Sequence, residues 1–122
     1  MIRFNIDGIM NEIVEERLRQ QSEEGWTTDH DDGHTDGQMA RAASAYAYFA
    51  ALPDKVREVD QIQPMHQYDD FVKTNIEVVR RSWPWDWSWW KPKDRRRDLI
   101  RAAALIVAEI ERLDRGTSTR GR

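Results

Sequence analysis

The chain has no cysteine. Disulfides, thiolate zinc sites and cysteine nucleophiles are therefore excluded, and a reducing compartment is compatible with the composition. No apolar run approaches the roughly 20 residues that a membrane helix needs. The opening stretch MIRFNIDGIMNEIVEERLRQ lacks a basic region followed by an unbroken apolar segment, so no signal peptide is expected. Also missing are a glycine-rich phosphate loop, a nucleophile elbow and any spaced Ser/His/Asp arrangement.

What remains is 122 residues with 39% apolar and 34% charged side chains. That length suits one domain, which buries roughly two-thirds of its unfolded surface. The net charge of −3 is unevenly spread. Residues 1–79 carry seven basic and sixteen acidic side chains, whereas residues 80–101 carry eight basic and three acidic ones. Five of the six tryptophans fall within residues 83–90, inside this basic block. Such a block is either an anion-binding surface or the electrostatic partner of the acidic first half of the chain.

The apolar pattern is helical. Ile6, Ile9, Met10, Ile13, Val14 and Leu18 follow helical spacing, which predicts a helix over 7–24 with Asp7 as N-cap and Gly25 as stop. Residues 27–37, TTDHDDGHTDG, read as a loop. Asp36 is positioned to cap a helix over 37–51, with Met39, Ala40, Ala43, Tyr46, Ala47 and Ala50 on its buried side and Pro53 beyond its end. Pro53 and Pro64 bracket a charged connector. The stretch DDFVKTNIEVVRRS fits a helix through Val72, Ile76 and Val79 and a strand through Val72, Thr74, Ile76 and Val78. A helix is preferred, because a lone strand has no pairing partner. The clearest helix is 94–115, capped by Asp94, striped by Leu99, Ala102, Ala103, Ile106, Ile110 and Leu113, and ended by Gly116. The expected fold is all-α: a compact three- or four-helix domain over 1–115, a long irregular Trp-rich loop before the last helix, and a flexible tail over 116–122. The alanine runs within 40–50 and 102–108 permit close helix contacts and point to a homo-oligomer.

Two blocks, EERLRQQSEEGWTTDHDDGHTDGQMARAASAYA (residues 15–47) and WPWDWSWWKPKDRRRDLIRAAALIVAEIERLDR (residues 83–115), resemble a family of small phage and prophage proteins. That family's pattern runs E-R-x-R-Q, E-G-W, H-D-D-x-H, G-E-L-A-x-A-A-x-Y-A, W-P-W, W-K-P, R-R-x-L and A-L-I-x-A-E-I-E-R-L-D-R. The resemblance implies a phage-encoded protein acting in the cytoplasm of a bacterial host, and brings no family-wide chemistry with it. Gln38 stands where the pattern has a glutamate.

Three constellations carry chemistry. His30, Asp31, Asp32 and His34 could hold a divalent metal, since imidazole suits zinc, manganese or iron and carboxylate suits magnesium or manganese. An Asx-rich capping loop accounts for the same residues. Glu12 and Glu15 form an E-x-x-E, and Glu111 and Asp114 an E-x-x-D, of the kind with which the MazG-like all-α pyrophosphohydrolases hold magnesium. A solvated, salt-bridged helix face is the preferred explanation of these residues. The third is the Trp segment. Pro84 disfavours a helical Trp83, so the segment is extended, and neighbouring rings point opposite ways. Some close the core, and others are free to stack on a ligand beside arginine forks. Trp26, Trp85, Trp87, Trp89, Lys91, Arg95, Arg96 and Arg97 are the expected ligand-binding residues. The leading expectation is a binding protein that captures a nucleotide-like ligand or a host defence component. One alternative is a metal-dependent nucleotide hydrolase using Glu16, His30, Asp31 and Asp32. Another is a protein inhibitor of a host nucleic-acid-guided nuclease.

Overall fold

The computed structural model describes residues 5–25, 27–59 and 65–119, and every regular element among them is helical. They are α1 (Ile6–Glu23), α2 (Thr28–Asp32), α3 (Gln38–Ala51), α4 (Asp54–Arg57), α5 (Asp70–Ser82) and α6 (Arg95–Thr119), with single 3-10 turns at Met65–Gln67 and Trp87–Trp89. The all-α expectation holds, and so does the irregular Trp-rich segment before the last helix. No helix among the described residues is long and apolar enough to cross a membrane.

Some helix ends are the expected ones, with Asp94 capping α6 through the Arg97 amide at 2.9 Å and Gly25 following α1 at φ +71°, and others differ. Asn5, not Asp7, caps α1, its side chain accepting from the Gly8 amide at 3.1 Å. The loop expected at 27–37 contains α2, because the Thr27 hydroxyl caps the His30 amide at 3.3 Å and Asp29 and Asp31 sit in the first turn. Asp36 does not cap α3. Gly37, at φ +79°, fills that place without a side-chain bond, and a left-handed residue there suits glycine. Asp69 caps α5 through the Val72 amide, which settles that stretch as helix. Gly116 does not end α6, since it does not adopt the left-handed conformation with which glycine stops a helix. The tail expected from 116 onward is therefore helical to Thr119, and residues 120–122 lie outside the described ones.

The four long helices pack in the order α1, α6, α3, α5, so the last helix sits near the middle. Alanines line the central pairing of α3 with α6: Ala42, Ala43, Ala45 and Ala50 of α3 and Ala102, Ala104 and Ala108 of α6 are all buried. These small residues are used inside the chain, so they do not supply the intermolecular contact for which they were read. Ala40 and Ala47, expected inward, are exposed. α5 adds Val72, Ile76 and Val79 to the other side of α3.

Two apolar stripes face the wrong way. In α1 the buried side chains are Glu16, Arg17 and Gln20, while Ile6, Ile9, Met10, Val14 and Leu18 are 40–62% exposed. In α6 the core face is Ile100, Ala102, Ala104, Leu105 and Ala108, whereas Leu99, Ile106, Ile110 and Leu113 are about half exposed. The helical periods were read correctly and the faces were not.

The Trp segment closes the end of the bundle. Trp83 and Trp90 are buried, and Trp90 stacks on Tyr46 at 4.7 Å between centroids and meets Phe49 edge-on at 5.5 Å. Trp87 stacks on the other face of Trp90 at 5.4 Å. Trp89, 45% exposed, is the most exposed indole of the segment. Trp90→Ala therefore removes a fully packed ring and should lower stability by about 3–5 kcal/mol. Trp89→Ala should stay within about 0.5 kcal/mol of the wild type, as surface changes usually do. Denaturant melts of the two variants measure both.

Candidate functional site

The basic block is spent mostly on the fold. Arg95 donates to the carbonyls of Ala50 (2.7 Å) and Leu52 (2.6 Å) and pairs with Asp54. Arg57 donates to the Phe49 carbonyl (2.9 Å), the Lys93 carbonyl (2.8 Å) and Asp98 (3.0 Å). Together they satisfy the orphan carbonyls at the end of α3 and tie that end to the start of α6. Arg101 holds the Lys91 carbonyl, and the Lys91 amide donates to the Tyr46 hydroxyl at 3.3 Å. Arg96 forms a two-point pair with Glu12, and Arg97 pairs with the buried Glu16. Three of the expected ligand-binding residues, Arg95, Arg96 and Arg97, are thus engaged with α1 and the α3–α4 turn, away from the indoles.

A second charged set positions α2. Arg17, buried, donates to the buried carboxylate of Asp31 at 2.5 Å and to Glu111 at 3.2 Å, joining α1, α2 and α6. Arg115 holds Asp32 at 2.7 Å. Glu16 accepts from Arg19 at 2.7 and 2.8 Å. Burial would raise its pKa, but the bond from Arg19 and the charges of Arg19, Arg97 and Arg101 outweigh it, and its carboxyl stays below the usual range. The carboxylates of Asp31, Asp32 and Glu16 are therefore each committed to arginines. Among the described residues no group of three or more His, Asp or Glu side chains is placed to hold a metal ion. The expected set of His30, Asp31, Asp32 and His34 does not converge on one point: the aspartates bind arginines, the histidines face each other through Nε2, and His30 Nδ1 lies 3.4 Å from the Asp31 carboxylate.

Those histidines line a cavity of about 390 Å³ with Glu24, Trp85, Asp86 and Trp89. Thr27 and the acidic first turn start α2, which carries His30, and His34 follows one helical turn later. Their Nε2 atoms lie 3.2 Å apart, and the His34 ring packs on Trp85 at 5.3 Å. At that separation one ring donates and the other accepts, so the pair accommodates one proton between two nitrogens. A tetrahedral metal with ~2.0–2.1 Å bonds to nitrogen sets two ligands about 3.3 Å apart, so the pair also has the spacing of two imidazoles on one ion. Burial, then the neighbouring charge of His30, lowers the His34 pKa from its ordinary 6.5. Asp86, between two tryptophans, caps the Trp87–Trp89 turn, and the hydroxyl and amide of Ser88 hold its carboxyl below the usual range. Lys91 lies over the Trp89 ring at 5.4 Å.

Of the expected site residues, the structure brings Trp85, Trp89, His30 and His34 together, with Lys91 beside them. Trp87 is turned to the core side, next to Arg80 and Trp90. Trp26 lies outside the described residues. Glu24 and Asp86 were missed as lining groups. Asp86 had a readable signal, a lone carboxylate inside WPWDW, whereas Glu24 had none. A larger hollow of about 650 Å³ runs along α5, and among the described residues this single helix lines it.

Two predictions follow from this geometry. Arg17→Met strands the buried Asp31 charge and should cost about 3–5 kcal/mol, with most of it recovered by adding Asp31→Leu, as chemical denaturation of the single and double variants reports. The depressed His34 gives the opposite of a salt-bridged histidine: the folded chain binds the proton later than the unfolded one. Stability is therefore complete above 6.5 and is lost as pH falls from there toward the folded value. The unfolding midpoint should drop over that window, less so in His34→Gln, and the His34 ring resonances should titrate below 6.5. Compared with known protein families, with curated proteins and with solved structures, the chain matches none of them, so the site rests on its own geometry.

Proposed function

We propose that the protein is a binding module without catalysis that takes the planar heteroaromatic end of a nucleotide-like ligand into the cavity between Trp85, Trp89, His30 and His34. The observation that carries this reading is the recess itself. Two indoles and two imidazoles surround a volume suited to one small ring system, and two carboxylates, Glu24 and Asp86, stand at its wall. Indoles stack on any base, and neutral imidazoles and carboxylates accept from exocyclic amino groups. The same carboxylates oppose a phosphate in the recess. A charged tail therefore points outward, past Lys91 over the Trp89 ring and Arg19 on Glu24, instead of lying across Arg95, Arg96 and Arg97. This modifies the Trp/Arg surface expected from sequence: the indoles stay in the reading and the three arginines leave it. With the resemblance to phage proteins, the ligand is a nucleotide-like molecule of the bacterial host, or a host defence component that presents such a ring, and the role is anti-defence in the host cytoplasm. The hydrolase reading has less support, since Asp31, Asp32 and Glu16 are each held by an arginine.

The test is calorimetric titration with adenosine, guanosine, cytidine and uridine and their monophosphates, beside native mass spectrometry of protein purified from its host. At least one nucleoside should bind saturably. Trp89→Ala should weaken it about tenfold, the usual size of one lost stacking contact. Arg96→Ala should leave affinity unchanged, and salt should matter little, because no arginine contacts the ligand. The absence of saturable binding by all eight compounds, together with no retained small molecule, overturns the proposal. So does binding that depends on Arg96 and not on Trp89.

A further inference from the structure

The outward stripes of α1 and α6 lie on two helices that pack side by side. A groove of about 360 Å³ joins Met10, Val14 and Leu18 of α1 to Val107 of α6. On α6 the stripe runs Leu99, Ala103, Ile106, Ile110, Leu113, with spacings of four, three, four and three residues. That is the 3.5-residue repeat of a helix seamed against another helix. Within this chain the opposite face of α6 makes the core, so the repeat is not consumed by the fold. Weighted by their exposed fractions, the apolar side chains of the two stripes together present on the order of 800 Å², about what each partner contributes to a standard interface.

We infer that this face is covered by a second copy of the chain, α6 against α6 about a two-fold axis, with α1 flanking. The stripe is self-complementary in the way that a two-fold contact requires. Reversed about Ile106 it reads the same in size at its ends: Leu99 meets Leu113 of the other copy, and the small Ala103 falls beside the large Ile110. Antiparallel α6 helices also bring the positive dipole end of each beside the negative dipole end of the other. The surface is separate from the His–Trp cavity, so it stands whether or not that cavity binds a ring.

Light scattering on the purified wild type at tens of micromolar, the concentration at which standard interfaces persist, should give twice the 14.5 kDa chain mass. Ile106→Arg puts a like charge on the axis and should give the monomer mass, with unchanged helical circular dichroism because the side chain is already 48% exposed. Val78→Arg, an exposed apolar position on α5, should remain dimeric. Should Ile106→Arg lose its helical signal, Leu99→Lys reads the same face at the end of the stripe. A monomeric wild type, or a dimer that survives both Ile106→Arg and Leu99→Lys with the fold intact, overturns the inference.

Discussion

The arrangement of this domain depends on the pairing of buried Arg17 with buried Asp31, reinforced by Glu111 and by the Glu16–Arg19–Arg97 set beside it. Helices usually dock by their apolar side. Here α1 docks by charge, and the geometry of guanidinium forks on carboxylates sets its rotation about its own axis. A buried ion pair adds little net stability over an apolar replacement of similar volume, yet leaving one member alone is costly. The attachment of α1 is therefore specified more than it is strengthened. Because Glu16, Arg17 and Gln20 face inward, the apolar stripe of α1 has no direction left but outward.

The tryptophans solve a different problem. α3 is rich in alanine, which allows α6 to approach but fills little volume, and the end of the bundle would be thin without large groups. Trp83 and Trp90 fill it, and Trp87 backs Trp90. The bend at Trp85 and the 3-10 turn at Trp87–Trp89 send rings to both sides of the segment, and the structure uses both. Trp85 and Trp89 look toward α2, where His34 supplies the facing wall of the cavity. Core closure and cavity are thus two sides of one short segment, and Asp86 sets the turn between them.

Much of this was legible in the sequence, to differing depth. Helix positions followed from apolar spacing, because periodicity reports that a face exists. It does not report what that face meets, and so the stripes of α1 and α6 were assigned to a core that they do not enter. The choice depends on Arg17 finding Asp31 and Glu111, the latter 94 residues away, and no local pattern records that. The basic block showed the same ambiguity. Its charge was visible, but Arg57 and Arg95 are occupied by backbone carbonyls of α3, which have no signature in residue type. Local chemistry was read better: the His pair and two of the indoles do meet. Short caps were read worse, since α2 rests on a single threonine hydroxyl in a stretch whose composition says loop.

The position of α6 has a consequence for how the molecule is made. It is the last of these helices to be synthesised, yet both α1 and α3 pack on it. Chains emerge at about 5–20 residues per second, so the preceding segments spend several seconds outside the ribosome with neither their alanine face nor their buried acids covered. Asp31 waits with only Arg17, Glu16 lacks Arg97, and the end of α3 lacks Arg95. The packing of both α1 and α3 is therefore complete only once α6 has arrived.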